Sequence, residues 1–484
     1  MIPGLKRRQA ILVACGAIAG AVGMWGLSSG KARIDGDVRA FGARGDGRHD
    51  DTAAVQRAID SDCDVLWFPT GQYRLTAALR PRSGQIWRGN GPFLSQLIAG
   101  GSANQPPFNL VQAAIDDPLE AFAIGDLGFR GARDTQVSYS RTGQEGFALY
   151  LRTALSDISL RNCLFENLGD GRSGGGGVVL GPRPDQKASN PSNIVVENCV
   201  FSDNGNVPGL YISASRQPES AGSGIRISGN SFGGTVGSTK VQNCIYILGG
   251  GSQGILRHVD VSHNRFDFST AVDAAIELNL VENFTISTNS LHFQAAMMGS
   301  SAILIRDGSA NGVVSGNTIT SASPEISLRG ILVLNFAHPA QISNLAITGN
   351  IISGVAGAIS ADRGATGVQI AHNHISGRND ENGFGIRVVD ASNIHVDGNL
   401  ITAMNQAVIL GHGDQPESAL SDVVVERNHF SHCGGGGRAL IAAVYSTPDH
   451  RMRDLILRDN STSSTIAGSI EIDPVLLMDG AALP

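Results

Sequence analysis

Aromatic side chains make up 5% of these 484 residues and charged ones only 16%, with a net charge of -7. No basic patch and no RNA-type aromatic motif is present, which excludes nucleic acid as a partner. Cysteine is scarce too. Of the 6 cysteines, Cys15 falls in the N-terminal segment, leaving an odd number for the rest of the chain. That excludes a disulfide scaffold. No His/Cys/Asp spacing suggests zinc. His263, His372, His374 and His429 flank asparagines and read as surface residues. Beyond residue 27 no apolar run is long enough to cross a bilayer. What is abundant is glycine, 62 residues, amid many Val, Ile, Asn and Ser. That composition predicts many short strands joined by tight turns.

The first residues read as an export signal. Lys6, Arg7 and Arg8 precede an apolar run from Ala10 to Leu27, and Gly30-Lys31-Ala32 permits cleavage after Ala32. "KRRQAI" resembles a twin-arginine signal in part, and "LVAC" (12–15) a lipobox placed very early. An uncleaved anchor is the alternative, and cleavage would leave no membrane span. The expected location is periplasmic or extracellular.

From residue 158 a unit repeats: an alternating apolar strand, an asparagine, and usually an apolar residue two places on. The asparagines are Asn162, Asn198, Asn230, Asn264, Asn289, Asn317, Asn350, Asn373, Asn399, Asn428 and Asn460, spaced 23 to 36 residues apart. A near-fixed period in this range means a solenoid, and period-2 alternation makes it a solenoid of strands. Asparagine tolerates a left-handed corner, and stacked amides can hydrogen-bond along a column. A second strand precedes each asparagine strand, as in "IYIL" (245–248) and "IRVVD" (386–390). The fold class is therefore all-β, a right-handed parallel β-helix with three strands per coil and an N-terminal capping helix. Its divisions are 1–32 (export signal), 33–100 (cap and first coils), 101–460 (β-helix) and 461–484 (C-terminal cap or tail). Cys163 and Cys199 follow asparagines in consecutive coils, close enough for either a disulfide or two stacked thiols.

The stretch "DVRAFGARGDGRHDDTAAVQRAID", followed by "VLWFPTGQYRLTAAL" and "IWRGNG", resembles the N-terminal module of the pectate-lyase-like superfamily. The module also occurs in polygalacturonase-related proteins and phage tailspike depolymerases. The motif covers residues 37–99, and the coils carry the resemblance to about 460. Although "GARGDGRHDD" concentrates Asp46, His49, Asp50 and Asp51, it reads as part of a cap. Residues 51–60 form a short helix with Ala54, Val55, Ala58 and Ile59 on one face, N-capped by Asp50 or Asp51. The resemblance places the substrate cleft along the strand before each asparagine strand. It implies no reaction, since fold does not fix function. Of the galacturonase motifs only "GHG" (411–413) is present, and the D-P-H-E motif of mannuronan epimerases is absent.

Alternation predicts which side chains face that cleft. One outward row reads Tyr150, Val179, Tyr211, Tyr246, Glu277, Leu304, Leu332, Ser360, Arg387, Ile409; the next includes Asn279, Arg306, Leu334, Asp362 and Val389. The strand exits read Asp307, Asn335, Arg363, Asp390 and His412. The expected catalytic set is Glu277, Arg306, Asp307, Asp362, Arg387 and His412. The expected substrate-binding set is Tyr150, Tyr211, Tyr246, Asn279, Asn335, Arg363 and Asp390. The tyrosines offer flat rings to sugar faces.

Three readings follow. A lyase on an acidic, uronic-acid polysaccharide needs donors to neutralise the carboxylate and a base for the α proton. Arg306, Arg387 and Asn279 suit the first task, Tyr246 or His412 the second. An inverting hydrolase needs two separated carboxyls, for which Glu277 with Asp307, then Asp362 with Asp390, are best spaced. A non-catalytic exopolysaccharide-binding β-helix is the third, favoured by the leucines that interrupt the polar rows. None requires a cofactor, although Glu277, Asp307 or Asp362 could hold Ca²⁺. The oligomeric state is not legible.

Overall fold

The computed structural model describes residues 35–100, 108–132, 144–169, 175–205, 207–234, 243–269, 272–294, 301–322, 328–336, 341–378, 383–411, 420–434, 440–444, 453–463 and 470–471. The export segment and His412 lie outside them. Among the described residues no helix is long and apolar enough to cross a membrane.

Almost every element is a short strand, and the strands fall into three parallel sheets of 15, 13 and 15 strands. One coil shows the pattern: Ala274–Asn279, then Val281–Ser287, then Ser290–Phe293. Each strand pairs in parallel with its counterpart one coil on, Ser301–Arg306, Ala310–Ser315 and Thr318–Ser321. Alternation sends every second side chain into one continuous column. Ile303, Ile331, Ile359 and Ile386 form one row of it, all 0% exposed. Phe129, Phe165, Phe201, Phe232 and Phe266 form another, their rings stacked 4.8 to 5.3 Å apart.

An asparagine ladder runs along one corner. The Asn264 amide nitrogen donates to Ile227 O at 2.9 Å and to Asn289 Oδ1 at 3.0 Å. Asn264 Oδ1 accepts from the backbone and side-chain nitrogens of Asn230 at 3.0 and 2.9 Å. All four polar sites of the amide are satisfied in the protein interior. The same set recurs from coil to coil as far as Asn460.

The ladder begins at Asn230, not at Asn162. Pairing sets Arg161 against Glu197 and Glu197 against Ser228, so Cys163 and Cys199 occupy the ladder position. Asn162 and Asn198 stand one residue earlier, at φ 50° and 55°, where later coils place Gly229, His263 and Gly316. The left-handed corner and the buried amide are thus two adjacent positions, which the sequence reading merged. Counting back two residues from Phe165 and Phe201 identifies the cysteines as the equivalents. Both are buried free thiols, and burial pushes the Cys163 thiol well up.

The N-terminal motif folds into a strand, Asp46–Asp50, and helix α1, Thr52–Ile59, whose Ala54, Val55, Ala58 and Ile59 are buried. Asp50, one residue before the N-cap, accepts from the Thr52 backbone N–H at 3.0 Å, and the N-cap Asp51 makes no side-chain capping bond to the helix. Asp51, 1% exposed, instead turns back to accept from the Arg44 and Gly45 N–H groups at 2.7 and 3.0 Å. Gly45 is required there: at φ +63° its missing Cβ would stand 3.0 Å from the Tyr73 ring. Asp46 accepts from the backbone N–H groups of His49 and Arg48, which hold its carboxyl well below the usual range. The acidic cluster therefore ties its own loop together.

Replacing Asn317 by Ala removes one buried amide and orphans its neighbours, at a cost of about 3 kcal/mol. Asn162→Ala, at an exposed corner, should cost less than half of that. Hydrogen exchange of the flanking coils measures both, and equal protection in the two variants would contradict a ladder that starts at Asn230.

Candidate active site

The outward rows of the thirteen-stranded sheet follow the register expected from alternation. Tyr211, Tyr246, Glu277, Leu304, Leu332, Ser360, Arg387 and Ile409 stand opposite one another from coil to coil. Asn279, Arg306, Leu334, Asp362 and Val389 form the neighbouring row. Charge collects at two places on this face.

The first lies at Glu277, which is 3% exposed. Arg306, one coil on, reaches diagonally to Glu277 Oε1 at 2.9 Å, and Asn243 Nδ2 donates to Oε2. Arg306 also lies 3.4 Å from Asp307 Oδ2. Asp307 accepts from the Phe336 N–H at 2.7 Å and from Asn279 Nδ2 at 3.4 Å. The exposed Phe336 ring lies over the Arg306 guanidinium, 4.4 Å from its centroid, a cation–π contact. Burial pushes the Glu277 carboxyl up, against the pull of Arg306. Tyr246 stands beside Glu277 and stacks on Tyr211 at 5.2 Å. Burial, then the Glu277 charge, push its phenol well up, so it is protonated at neutral pH.

The second lies at Asp362, in the third coil after Glu277. Arg387 reaches back diagonally to Asp362 Oδ2 at 2.8 Å. Leu334 and Val389 wall Asp362 on either side in its row, and it is 4% exposed. That desolvation pushes the Asp362 carboxyl up to about 6, although Arg387 and then Arg329 pull it down. Asp362 Oδ1 and Ser360 Oγ are buried with no hydrogen-bond partner.

The remaining expected residues are scattered. Tyr150, 5% exposed, sits in a small apolar cluster with Phe147, Val179 and Val207, so its ring is no open platform. Arg152 lies over Tyr211, 4.8 Å from its centroid, and donates to Ser213 Oγ. Asp307, Arg363 and Asp390 sit at strand exits with φ of 37°, 49° and 52°. Asp tolerates that corner unusually well, which gives the exit acids a backbone reason to be there. Arg363 is exposed, and Asn335, half-buried, directly follows the strand Arg329–Leu334.

Sequence reasoning missed Arg329, Asn243 and Phe336. Arg329 has the parity of the inward Ile331 and Val333, so alternation hides it, yet its charge acts on Asp362. Phe336 follows the strand exit, where no periodicity reaches. The His374 and His429 strands belong to a different sheet, away from this face. His395, Asp397 and Glu426 bring ligand atoms within 4.8 Å of one another. Arg427 and Arg458 already pair with these acids, at 2.9 Å from Asp397 and 2.5 Å from Glu426, which leaves little negative charge for a cation.

Two family models match the chain: "Rhamnogalacturonase A/epimerase, pectate lyase-like" over residues 37–254 and "Right handed beta helix region" over residues 325–468. Among curated proteins it is similar to mannuronan C5-epimerases of Azotobacter vinelandii. AlgE4 is 32% identical over 114 residues, 21% of this chain and 20% of that protein. AlgE3 is 31% identical over 114 residues, 21% of this chain and 6% of that protein. The chain thus spans a fifth or less of the length of these relatives. Among solved structures, gene product 12 of bacteriophage phi29 superposes with a TM-score of 0.52 at 15% identity, covering 84% of this chain and 56% of that one. That likeness is one of fold alone.

The raised Asp362 carboxyl has a consequence for stability. Between 3.8 and about 6 the folded chain holds this proton and the unfolded chain releases it. Native stability therefore falls as pH rises through that window. A shift of about two units corresponds to ~3 kcal/mol. Asp362→Asn should melt with the parent near pH 4 and clearly above it at pH 8; matching melting temperatures at both would refute the burial argument.

Proposed function

The chain belongs to the pectate-lyase-like superfamily of right-handed parallel β-helices, and from that premise we propose that it is an enzyme acting on an acidic, uronic-acid-containing polysaccharide. In this reading it removes the proton α to a uronate carboxylate, and β-elimination follows, as in a lyase. The observation that carries the reading is the pair of half-exposed guanidiniums, Arg306 and Arg387, each set against a buried carboxyl raised above its usual range.

The chemistry asks for that arrangement. The α proton becomes acidic enough only when the adjacent carboxylate is neutralised by fixed donors. Guanidiniums do this with directed N–H bonds and stay charged. A base that titrates near neutrality completes the set. Tyr246, kept protonated, suits proton donation better than the role of base. In this reading these side chains perform these functions, with no cofactor assigned a role. Ca²⁺ at Glu277 or Asp307 would have to compete with Arg306, and at Asp362 it would share the carboxylate with Arg387.

A second reading is favoured by the relatives, named mannuronan C5-epimerases. Epimerisation at C5 begins with the same proton abstraction and differs only in where the proton returns. Hydrolysis has less support, because in the best-spaced pair Glu277 is held by Arg306 and Asn243, and Asp307 by the Phe336 N–H, Asn279 and Arg306. We also read residues 1–32 as an export signal, and helix α1 as closing the N-terminal end of the column.

The test is to incubate the protein with polygalacturonate, polymannuronate and polyguluronate. Ultraviolet absorbance of unsaturated uronates, reducing ends, and the uronate epimer ratio by proton NMR are followed together. Absorbance and reducing ends rising together are expected. A changed epimer ratio alone would establish the second reading. New reducing ends without absorbance would mean hydrolysis, and silence in every channel would refute enzymatic action on these polymers.

A further inference from the structure

We infer that the reacting centre is Asp362 with Ser360 and Arg387, that the substrate uronate draws Arg387 away from Asp362 as it binds, and that Glu277 and Arg306 serve a neighbouring sugar. This inference rests on the acidic-polysaccharide reading and assigns the roles within it.

The two carboxylate–arginine pairs differ in what they leave free. At the first, Arg306 holds Glu277 Oε1 and Asn243 holds Oε2. Asp307 is likewise bonded through both oxygens. Every carboxylate oxygen there already accepts a hydrogen bond. At the second, Arg387 holds only Asp362 Oδ2. Asp362 Oδ1 and Ser360 Oγ are both buried and both without a partner. They lie two residues apart on one strand, on the same face. Leaving buried polar atoms unsatisfied costs stability; the first pair also leaves two, Asn243 Oδ1 and Arg306 Nε, but neither is a carboxylate oxygen able to act as a base.

Charge separates the pairs as well. Glu277 is surrounded by Arg306, Asp307 and Asp273, a net negative environment that repels a uronate. Asp362 faces Arg387, Arg329 and Arg363 against the single acid Asp390, a net positive one. The uronate carboxylate therefore belongs at Arg387 and Arg329. The exposed Phe336 ring over Arg306 offers a flat apolar surface to the next sugar, and Glu277 holds the guanidinium beneath that ring in place.

Once Arg387 turns to the uronate, Asp362 loses its main counter-charge and becomes a stronger base. It takes the C5 proton on Oδ1. The C5–H electron pair moves into the uronate carboxylate, and Arg387 and Arg329 stabilise the resulting enediolate. That pair then either forms the C4–C5 double bond, with O4 leaving and recovering the proton from Asp362, or takes a proton back at C5. No oxidant or external co-reactant is consumed.

The measurement is deuterium exchange at C5 of polyuronate in D₂O, followed by NMR, which reads abstraction whichever product forms. Asp362→Asn should lower the exchange kcat by about 100-fold or more. Ser360→Ala, which leaves every charge in place, should lower it less and serves as a second variant should Asp362→Asn fail to fold. Glu277→Gln should raise KM while leaving kcat within a few-fold. In the parent enzyme the acid limb of kcat/KM should lie near the Asp362 value of about 6, and that of kcat above it, because Arg387 has left Asp362 in the complex. Exchange that persists in folded Asp362→Asn, or a loss of kcat confined to Glu277→Gln, would overturn the assignment. A parent enzyme with no exchange on any uronate would instead refute the underlying polysaccharide reading.

Discussion

The hydrogen bond from one asparagine amide to the next is the constraint on which the rest of this structure depends. A strand slipped by one residue would turn its entire outward row into the core. The ladder forbids that, because each Asn side chain must meet both the backbone and the amide of its neighbour. With register fixed along one corner, the rows on the opposite sheet are fixed as well. Glu277 and Arg306, or Asp362 and Arg387, meet only because their coils are locked in phase.

The outward face shows how a solenoid gathers charged pairs on a single sheet. The two ionic pairs are both diagonal, but in opposite senses: the acid of the first lies in the row of the second arginine. Leu304, Leu332 and Leu334 separate them, and Leu334 and Val389 also dry the surroundings of Asp362. Leucines that look like gaps in a polar cleft are thus what raises the carboxyl. In polar company the same aspartate would titrate far lower.

Much of this was legible in the residues. The strand–strand–corner unit and both outward rows follow from alternation, because a pleated strand leaves no other choice, whereas the sheet of the candidate site is what the resemblance implies. Two things escaped. Asn162 and Asn198 carry the expected letter at the wrong place: the left-handed corner and the buried amide both favour asparagine and sit side by side. Arg329, Asn243 and Phe336 lie at strand beginnings or in connections, where the chain has no period to read. The acids at the strand exits were legible for a reason other than chemistry, since the corner itself favours aspartate.

The column is held by two kinds of attraction in succession. From Asn230 onward, neighbouring coils share directional amide bonds; before it, Leu127, Cys163 and Cys199 fill the same place, beside stacked phenylalanine rings. Apolar contact weakens on cooling far more than hydrogen bonding does. At this one corner position the earlier coils therefore rest on apolar contact and the later ones on directional bonds, with a seam between Cys199 and Asn230. Both charged pairs lie on the later side of that seam, on the stretch where amide bonds join each coil to the next.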